Sequence, residues 1–307
     1  MSTTLALPPI PSLEQKHFQH RVIDVPHFGT LEALVPAAEP YICRDKNAPA
    51  LLLLPGMGMD GLGFLRQLPL GAISRLQFFQ MPNEPAAGET GLGNFARNVE
   101  EYVKAAGLHE GPGLFLGGCS MGGAVALATA LRGRVPLRGL ILLGTFGDCR
   151  HLPFWQRLFA PCIRLLPLGR ARDAARGLIL HTQFFGHIKP DEADWLVSCK
   201  LDRTRTYYVN AVMSLTRQRQ IPAARELKLP TLVLHGTKDH MLPYAAGVEL
   251  ANSIPGAKLV TVERGGHAFF FTTPEIVNSA IAEFIRTEVI GHSSLVINDR
   301  PASMTND

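Results

Sequence analysis

The segment that most constrains the fold is LFLGGCSMGGAVALATA, residues 114–130, in which a serine stands among four glycines between two apolar stretches. LFLGG is short and apolar enough for a buried strand, and the run after the serine is rich in alanine and leucine, which favour a helix. A strand that turns directly into a helix at Ser120 lifts the hydroxyl above the carboxyl edge of the sheet and points the first helical N–H groups at the same space. The segment therefore predicts a nucleophilic serine on a tight turn.

Gly118 and Gly122 flank Ser120 in a G-x-S-x-G pattern. Glycine has no Cβ, so we expect these two positions to let the strand and the helix cross closely. A Ser120 that only caps the helix is one alternative to this interpretation, and a nucleophilic Cys119 is another. The residues beside Cys119 do not frame it in the same way, which favours Ser120.

Short apolar runs alternate with longer amphipathic ones along most of the chain, a pattern typical of a mostly parallel sheet covered by helices. The predicted strands are residues 21–25 and 31–35 and the segments ALLLLPG, LQFFQMP, GLFLGG, RGLILLG, PTLVLHG and AKLVTVE. The clearest predicted helices are NFARNVEEYVKAAG and TPEIVNSAIAEFIRTEV, whose apolar residues recur at helical spacing. The pattern therefore predicts an α/β fold with a mostly parallel central sheet flanked by helices.

Two further segments follow the serine turn in a fixed order. VLHGTKDHMLP carries Asp239 just past a predicted strand, and VERGGHAFFFTTPE carries His267 in a Gly-Gly-His turn past the next one. Together with GCSMGG, this order of serine, acid and histidine resembles the α/β-hydrolase family over residues 21–289. The resemblance implies the α/β-hydrolase fold with a helical cap insertion and a catalytic triad of Ser120, Asp239 and His267.

The chemistry of a serine nucleophile requires these residue types. A serine hydroxyl is a poor nucleophile until a base takes its proton, so we expect His267 to face Ser120 and a carboxylate to orient the imidazole. Asp239 is the expected acid, and Asp148 in LLGTFGD, at the end of the preceding strand, is the alternative. A purely structural turn histidine is the alternative for His267.

The resemblance also implies two backbone N–H donors for a developing oxyanion. One is Met121, the residue after the nucleophile. The other is Met57, because LLLLPGMG resembles the family's HG loop after the third strand. Pro55 stands here where the family commonly has histidine, which makes no difference to Met57 as a backbone donor. His235 and His240, close to Asp239 in sequence, are expected to be structural.

The strand and helix alternation lapses over residues 146–224, and in this family such a segment is a helical cap over the active site; we call it the cap segment. Its apolar residues are expected to line an acyl pocket or to pack the cap onto the core: Trp155, Leu158, Phe159, Ile163, Leu165 and Leu166. Its arginines are expected to form a solvated face, or else to dock an acidic acyl carrier or CoA: Arg150, Arg157, Arg164, Arg170, Arg172 and Arg176. Only Asp148 and Asp173 oppose them in the same stretch. The other expected divisions are a loose leader at 1–20, a core at 21–145 and 225–290, and a mobile tail at 291–307.

Composition narrows the class of protein. The 307 residues carry a formal net charge of +4, and 46% of them are hydrophobic. A large core is therefore available, and the small charge argues against a nucleic-acid partner. No segment approaches the roughly 18 to 20 unbroken apolar residues of a membrane span. Five scattered cysteines without C-x-x-C spacing predict reduced thiols in a cytoplasmic protein and no metal site.

These features predict a serine hydrolase that cleaves a small carboxylic ester or thioester through an acyl-enzyme, without a cofactor. In layout the chain resembles pimeloyl-carrier-protein methyl esterases and 3-oxoadipate enol-lactonases, and the shared motifs do not choose between them. A cofactor-free perhydrolase uses the same triad. A hydrolase-fold protein that binds a ligand for signalling, without turning it over, is the alternative from a different class.

Overall fold

The computed structural model describes residues 7–26, 28–84, 88–152, 154–165, 188–199 and 203–298. The strands within this part of the chain form one eight-stranded sheet in the order β1-β2-β4-β3-β5-β6-β7-β8. Their bounds are β1 Phe18–Val25, β2 Gly29–Pro36, β3 Ala50–Leu54, β4 Arg75–Gln80, β5 Leu114–Cys119, β6 Gly139–Leu143, β7 Thr231–Gly236 and β8 Lys258–Val262. β2 pairs antiparallel with β1 and β4, and every other neighbouring pair is parallel.

Helices follow most of the strands. Within the described residues the α-helices are α1 Leu92–Ala105, α2 Met121–Arg132, α3 Phe154–Phe159, α4 Pro190–Ser198, α5 Arg205–Leu215, α6 Ile221–Ala224, α7 Tyr244–Ser253, α8 Phe269–Thr272 and α9 Pro274–Asn298. Short 3₁₀ segments span Gln15–His17, Gly61–Ala72, Cys149–His151 and Ala160–Leu165. None of the helices in this part of the chain combines the length and the apolar character that crossing a bilayer requires.

The central strands are buried on both faces. In β3, Leu52 and Leu54 pack in the cluster that contains α1 and α2, whereas Leu51 and Leu53 pack in the cluster that contains α9. A strand covered by helices on both sides has no solvent face, and this explains why ALLLL is apolar throughout instead of alternating. The architecture confirms the predicted fold, a mostly parallel sheet flanked by helices.

Described elements extend into both terminal segments that the sequence patterns set apart as a leader and a tail. β1 begins at Phe18, inside the predicted leader, because it pairs with β2 along its whole length. Leu7 and Leu13 pack against the core, although they also lie in that leader. At the other end α9 continues to Asn298, about two turns into the predicted tail. No proline follows until Pro301, and a single glycine does not stop a helix.

The described parts of the cap segment are mainly helical and contain α3 to α6. One isolated antiparallel bridge joins Asp148 to Arg219 and brings the two ends of the segment together. Cys149 N–H donates to Gln218 O at 3.0 Å and Gln220 N–H donates to Gly147 O at 2.7 Å. The segment therefore leaves the core after β6 and returns to it at almost the same place.

Candidate active site

Ser120 occupies the turn between β5 and α2 in a conformation that L-residues rarely adopt, with φ at +52° and ψ at −120°. Such backbone strain costs on the order of 1–3 kcal/mol and persists only where the surroundings hold it. Here Ser120 N–H donates to Leu143 O at 2.9 Å, and Thr145 Oγ1 donates to Ser120 O at 2.6 Å. Residues at the end of β6 and just after it therefore hold the peptide groups on both sides of the serine.

The glycines that flank Ser120 are required by close backbone contacts. A Cβ on Gly122 would lie 2.1 Å from Leu54 O, and a Cβ on Gly118 would lie 2.5 Å from the carbonyl carbon of Gly122. Neither neighbour is a flexible side chain that could move away. The expectation that the strand and the helix cross closely is thus confirmed.

Asp239 and His267 lie in the loops that follow β7 and β8, and a hydrogen bond joins them. His267 Nδ1 is 2.8 Å from Asp239 Oδ2, and the two residues are 8% and 6% exposed. The other carboxylate oxygen, Oδ1, accepts the backbone N–H groups of Met241 and Leu242, each at 2.9 Å. This arrangement fixes the carboxylate and leaves Nε2 as the ring nitrogen of His267 that does not contact it.

Opposing effects act on the Asp239 carboxyl. Burial by itself raises its pKa, but the neighbouring His267, together with hydrogen bonds from His235, His267 and the Leu242 N–H, holds the pKa well below its usual range. Asp239 is therefore ionised at neutral pH. A buried carboxylate of this kind orients an imidazole and stabilises it when it becomes charged.

A second buried histidine lies behind the carboxylate. His235 Nε2 is 3.0 Å from Leu242 O and 3.5 Å from Asp239 Oδ2, so the carbonyl is the closer acceptor for a proton on that nitrogen. His235 is buried whereas His240 is exposed. Both are expected from the sequence to be structural, and of the two it is His235 that contacts the proposed acid.

The three predicted residues come to one edge of the sheet. They follow β5, β7 and β8, and β6 lies between β5 and β7. Gly144, the first residue after β6, bridges the gap: a Cβ there would lie 3.5 Å from Asp239 Oδ2, while the preceding residue accepts the Ser120 N–H. Carboxyl ends of adjacent parallel strands are where ligands bind in open α/β sheets.

The two predicted oxyanion donors lie beside this edge. Met121 is buried and is the first residue of α2, and Met57 lies in residues 55–60, which we call the oxyanion loop. A Cβ on Gly56 would lie 3.6 Å from the Ser120 Cβ, which places the loop directly against the serine turn. Within the described part of the chain, neither the Met57 nor the Met121 N–H donates to a backbone carbonyl.

The alternative residues occupy different surroundings. The Asp148 side chain accepts the Arg150 N–H at 2.9 Å and caps the 3₁₀ segment that follows it, whereas it is Asp239 that contacts His267. Burial raises the pKa of the Cys119 thiol to about 12, against weaker opposing hydrogen bonds. A thiol with that pKa stays protonated at neutral pH and is a poor nucleophile.

The cap residues singled out in the sequence are only partly described. Leu158 is 57% exposed, so it does not pack onto the core as one expectation proposed. The side chains of Trp155, Phe159, Ile163, Leu165 and Arg164, and all of Leu166, Arg170, Arg172 and Arg176, lie outside the described residues. Arg150 forms an ion pair with Glu249 of α7, an acid that lies outside the cap segment. Arg157 lies over the Phe154 ring at 5.9 Å.

Metal-binding geometry is absent from the part of the chain that the structure describes. There, no three His, Cys, Asp or Glu side chains are grouped closely enough to hold a metal ion.

Comparison with known proteins agrees with this architecture. A model described as the alpha/beta hydrolase family matches residues 51–280. Polyketide synthase ThaQ of Burkholderia thailandensis is 31% identical over 274 residues, which cover 81% of this chain but only 12% of ThaQ. A thermophilic esterase from Thermogutta terrifontis has a TM-score of 0.70 at 22% identity, covering 88% of this chain and 99% of the esterase chain.

An enol-lactonase from Burkholderia xenovorans has a TM-score of 0.69 at 18% identity, covering 87% of this chain and 100% of the lactonase chain. At such identities the two solved structures are evidence for the fold alone. The family model spans well over half of the chain and includes the serine turn and both later loops. The chain therefore belongs to the alpha/beta hydrolase family.

Proposed function

We propose that the protein is a serine hydrolase that cleaves a carboxylic ester or thioester through an acyl-enzyme. The observation that carries this proposal is the 2.8 Å hydrogen bond between His267 and the buried Asp239, at the same sheet edge as the strained Ser120. Strained backbone at a serine is expected where the strain serves a reaction. An acid, a base and a hydroxyl arranged along adjacent strand ends are the components of nucleophilic acyl transfer.

In the proposed first half-reaction, Ser120 Oγ attacks the carbonyl carbon of the substrate while His267 Nε2 takes the hydroxyl proton. The carbonyl π electrons move to oxygen, and the resulting oxyanion accepts hydrogen bonds from the Met57 and Met121 N–H groups. Collapse of this intermediate breaks the bond to the leaving alcohol or thiol, which receives the proton from the imidazolium. The products are an acyl-serine and the free alcohol or thiol.

In the second half-reaction, water attacks the acyl-serine carbonyl and gives a proton to His267 Nε2. The second oxyanion uses the same two N–H groups, and its collapse returns the proton to Ser120 Oγ and releases the carboxylic acid. Asp239 stays ionised throughout, because its role is to orient His267 and to stabilise the imidazolium. No group besides these residues and water is needed to balance the two steps.

The proposed substrate class is a small molecule with an acyl ester or thioester bond. The similarity to part of a polyketide synthase is the reason to test thioesters beside oxygen esters. An acidic acyl carrier or CoA would suit the cap arginines, although Arg150, which stays exposed, already forms an ion pair with Glu249. The proposed location is the cytoplasm, since all five cysteines are free thiols and such thiols persist in reducing compartments.

A fluorophosphonate probe, which phosphonylates activated serines, tests the proposal directly. We expect stoichiometric labelling of the wild-type protein at Ser120 and none in Ser120→Ala. Ser74→Ala is the matched control, because Ser74 is a buried serine whose hydroxyl donates to Leu70 O away from the site; it should be labelled like the wild type. p-Nitrophenyl esters of increasing acyl length and matching acyl-CoA thioesters then rank the substrates.

Three results of this experiment would contradict the proposal. Absence of labelling and of turnover in the folded wild-type protein would favour the ligand-binding protein. Labelling without hydrolysis, but with peracid formation from a carboxylic acid and hydrogen peroxide, would favour the perhydrolase. Equal labelling of Ser120→Ala would place the nucleophile elsewhere.

A further inference from the structure

Tyr207, on α5 of the cap segment, is a fully buried tyrosine whose hydroxyl reaches both segments that carry the proposed oxyanion donors. It accepts the Gly58 N–H at 3.2 Å, and it donates to Met121 Sδ at 3.8 Å. Gly58 is the residue directly after Met57 in the oxyanion loop. One hydroxyl group therefore links this loop to the first turn of α2.

The tyrosine ring is held firmly in this position. It packs edge-on against Phe95 of α1, with ring centroids 5.9 Å apart, and the Arg203 guanidinium lies 5.1 Å from its ring centroid. Arg203 also donates to Met59 O at 3.3 Å and to Met81 O. Two neighbouring side chains of the cap segment, Tyr207 and Arg203, therefore form hydrogen bonds with the oxyanion loop.

Further contacts join the cap segment to the oxyanion loop. Asp60 N–H donates to Cys199 O at 2.8 Å, so the far end of the loop is tied to the residue that follows α4. Next to Tyr207, α5 approaches so closely that a Cβ on Gly58 would lie 2.9 Å from the Tyr208 hydroxyl oxygen. The loop therefore has little freedom while the cap segment is in place.

Burial accounts for a neutral hydroxyl at this point. It raises the pKa of Tyr207, although Arg203 acts in the opposite direction, so the group keeps its proton and can accept one hydrogen bond while donating another. A phenylalanine would fill nearly the same volume but would leave the Gly58 N–H without its partner. The hydroxyl therefore contributes hydrogen bonds that the packing of the ring does not supply.

We propose that Tyr207 is a positioning residue that holds the Met57 and Met121 N–H groups at the separation that the oxyanion requires. This inference rests on the proposed function, because it concerns the same two donors. Oxyanion donors act only when they are correctly placed before the charge develops, so a small shift of the loop weakens transition-state binding without removing a group from the site. The cap segment then takes part in building the catalytic centre as well as covering it.

Tyr207→Phe tests the proposal with p-nitrophenyl acetate, a substrate too small to depend on an acyl pocket. We expect kcat to fall about tenfold with KM nearly unchanged, less than the 10²–10³ lost when a donor itself is removed. The inhibition constant of a trifluoromethyl ketone, which forms an oxyanion on Ser120, should rise by about the same factor as kcat/KM falls. Inhibition by the product acetate should not change.

Tyr102→Phe is the matched control. Tyr102 is also fully buried, and its hydroxyl donates to Gln77 Oε1 at 2.6 Å, on α1 and away from the sheet edge. The two variants lose a comparable buried hydrogen bond, so their melting temperatures should fall by similar amounts. Only Tyr207→Phe should lose kcat and ketone affinity.

Met121→Leu gives a second, independent test because it removes the sulfur acceptor and keeps the bulk of the side chain. We expect a loss in kcat of about two- to threefold in the wild-type background and almost none in the Tyr207→Phe background, since contacts that share one hydroxyl are not additive. Wild-type kcat in Tyr207→Phe, equal kcat losses in Tyr207→Phe and Tyr102→Phe, or additive losses with Met121→Leu would each overturn the positioning role. Wild-type activity in Ser120→Ala would instead overturn the proposed function, so the two failures are distinguishable.

Discussion

The carboxyl edge of the sheet and helix α3 of the cap segment represent two extremes of this molecule. At the edge, Asp239 and His267 are almost completely buried, and both carboxylate oxygens of Asp239 take part in hydrogen bonds of 2.8–2.9 Å. On α3, Phe154 and Leu158 are 69% and 57% exposed. The first region contains polar groups where water is excluded, and the second contains apolar groups where water reaches.

The contrast indicates a division of tasks. Buried polar groups are costly unless they are fully paired, so they survive only where their positions are tightly determined, as proposed catalytic groups require. Exposed apolar side chains cost little in a short helix and supply surface for apolar ligands. We therefore expect changes at the sheet edge to remove activity and changes on α3 to alter substrate preference.

The largest expected effect is at the sheet edge. Ser120→Ala and His267→Ala should each lower kcat for p-nitrophenyl acetate by roughly 10⁴- to 10⁶-fold, and the double variant should be hardly worse than either, because the two groups act as one unit. Circular dichroism should show all three variants folded. Near-wild-type turnover by a folded Ser120→Ala variant would contradict the proposed mechanism. It would also contradict the catalytic role assigned to the sheet edge.

The next expected effect distinguishes the two candidate acids of the sheet edge, Asp239 and Asp148. Asp239→Asn should lower kcat by about 10⁴-fold, because an amide favours the wrong imidazole tautomer and cannot stabilise its charge. Asp148→Asn should stay within a few-fold of the wild type, since an asparagine oxygen can still accept the Arg150 N–H. Steady-state kinetics of the purified variants measure both. The reverse order would move the acid to the end of β6 and leave the fold unchanged.

Asp60, in the oxyanion loop beside the sheet edge, gives a prediction for the pH dependence of stability. Burial raises its pKa from 3.8 to about 7, although its hydrogen bond with Leu62 and the charge of Arg203 oppose this. The folded state therefore binds a proton that the unfolded state has released over this interval, and the contribution of Asp60 lowers the free energy of unfolding as pH rises from about 4 to about 7. Asp60→Asn removes that contribution. Between pH 4.5 and pH 7.5, the melting temperature of the variant should therefore fall less, or rise more, than that of the wild type.

Asp45→Asn is the matched control for this measurement. Asp45 accepts a backbone N–H two residues ahead, as Asp60 does, but it is exposed. Its variant should follow the wild-type dependence of melting temperature on pH. Identical curves for Asp60→Asn and the wild type would mean that Asp60 is ionised in the folded protein throughout this range.

The smallest expected effect is on α3. Leu158→Ala should change the free energy of unfolding by less than about 0.5 kcal/mol, because the side chain is mostly exposed. Leu142→Ala in β6, fully buried, should cost about 2–5 kcal/mol. Urea unfolding compares the two.

If α3 contacts the acyl chain, Leu158→Ala should raise KM for a long-chain ester by a few-fold and leave KM for the acetate ester unchanged. Equal effects on both esters would contradict that contact.

Much of the proposed site was predictable because its determinants are local. The serine turn needs only a strand, two glycines and a helix within a short segment, and the contacts of Gly118 and Gly122 follow from that sequence. Asp239 and His267 were predictable from their places after β7 and β8. The choice between Asp239 and Asp148 was not, because both follow strand ends and only the packing of the loops decides which one meets His267.

Tyr207 and His235 show the opposite situation. Tyr207 meets Gly58 across 149 positions of the chain, and nothing in the sequence around either residue signals the contact. His235 lies four residues from Asp239, yet its role depends on whether the strand end turns the ring toward the carboxylate. Histidine and tyrosine occur in many structural settings, so residue type alone does not predict such partners.

The sequence by itself determined the sheet, the serine turn and the order of serine, acid and histidine, because periodicity, glycine and strand ends act over a few residues. Only the tertiary structure decided which acid contacts the histidine, where β1 begins and α9 ends, and how α5 reaches the oxyanion loop. These contacts depend on distances between segments far apart in the chain. Such distances follow from how the whole core packs, and no short stretch of sequence specifies them.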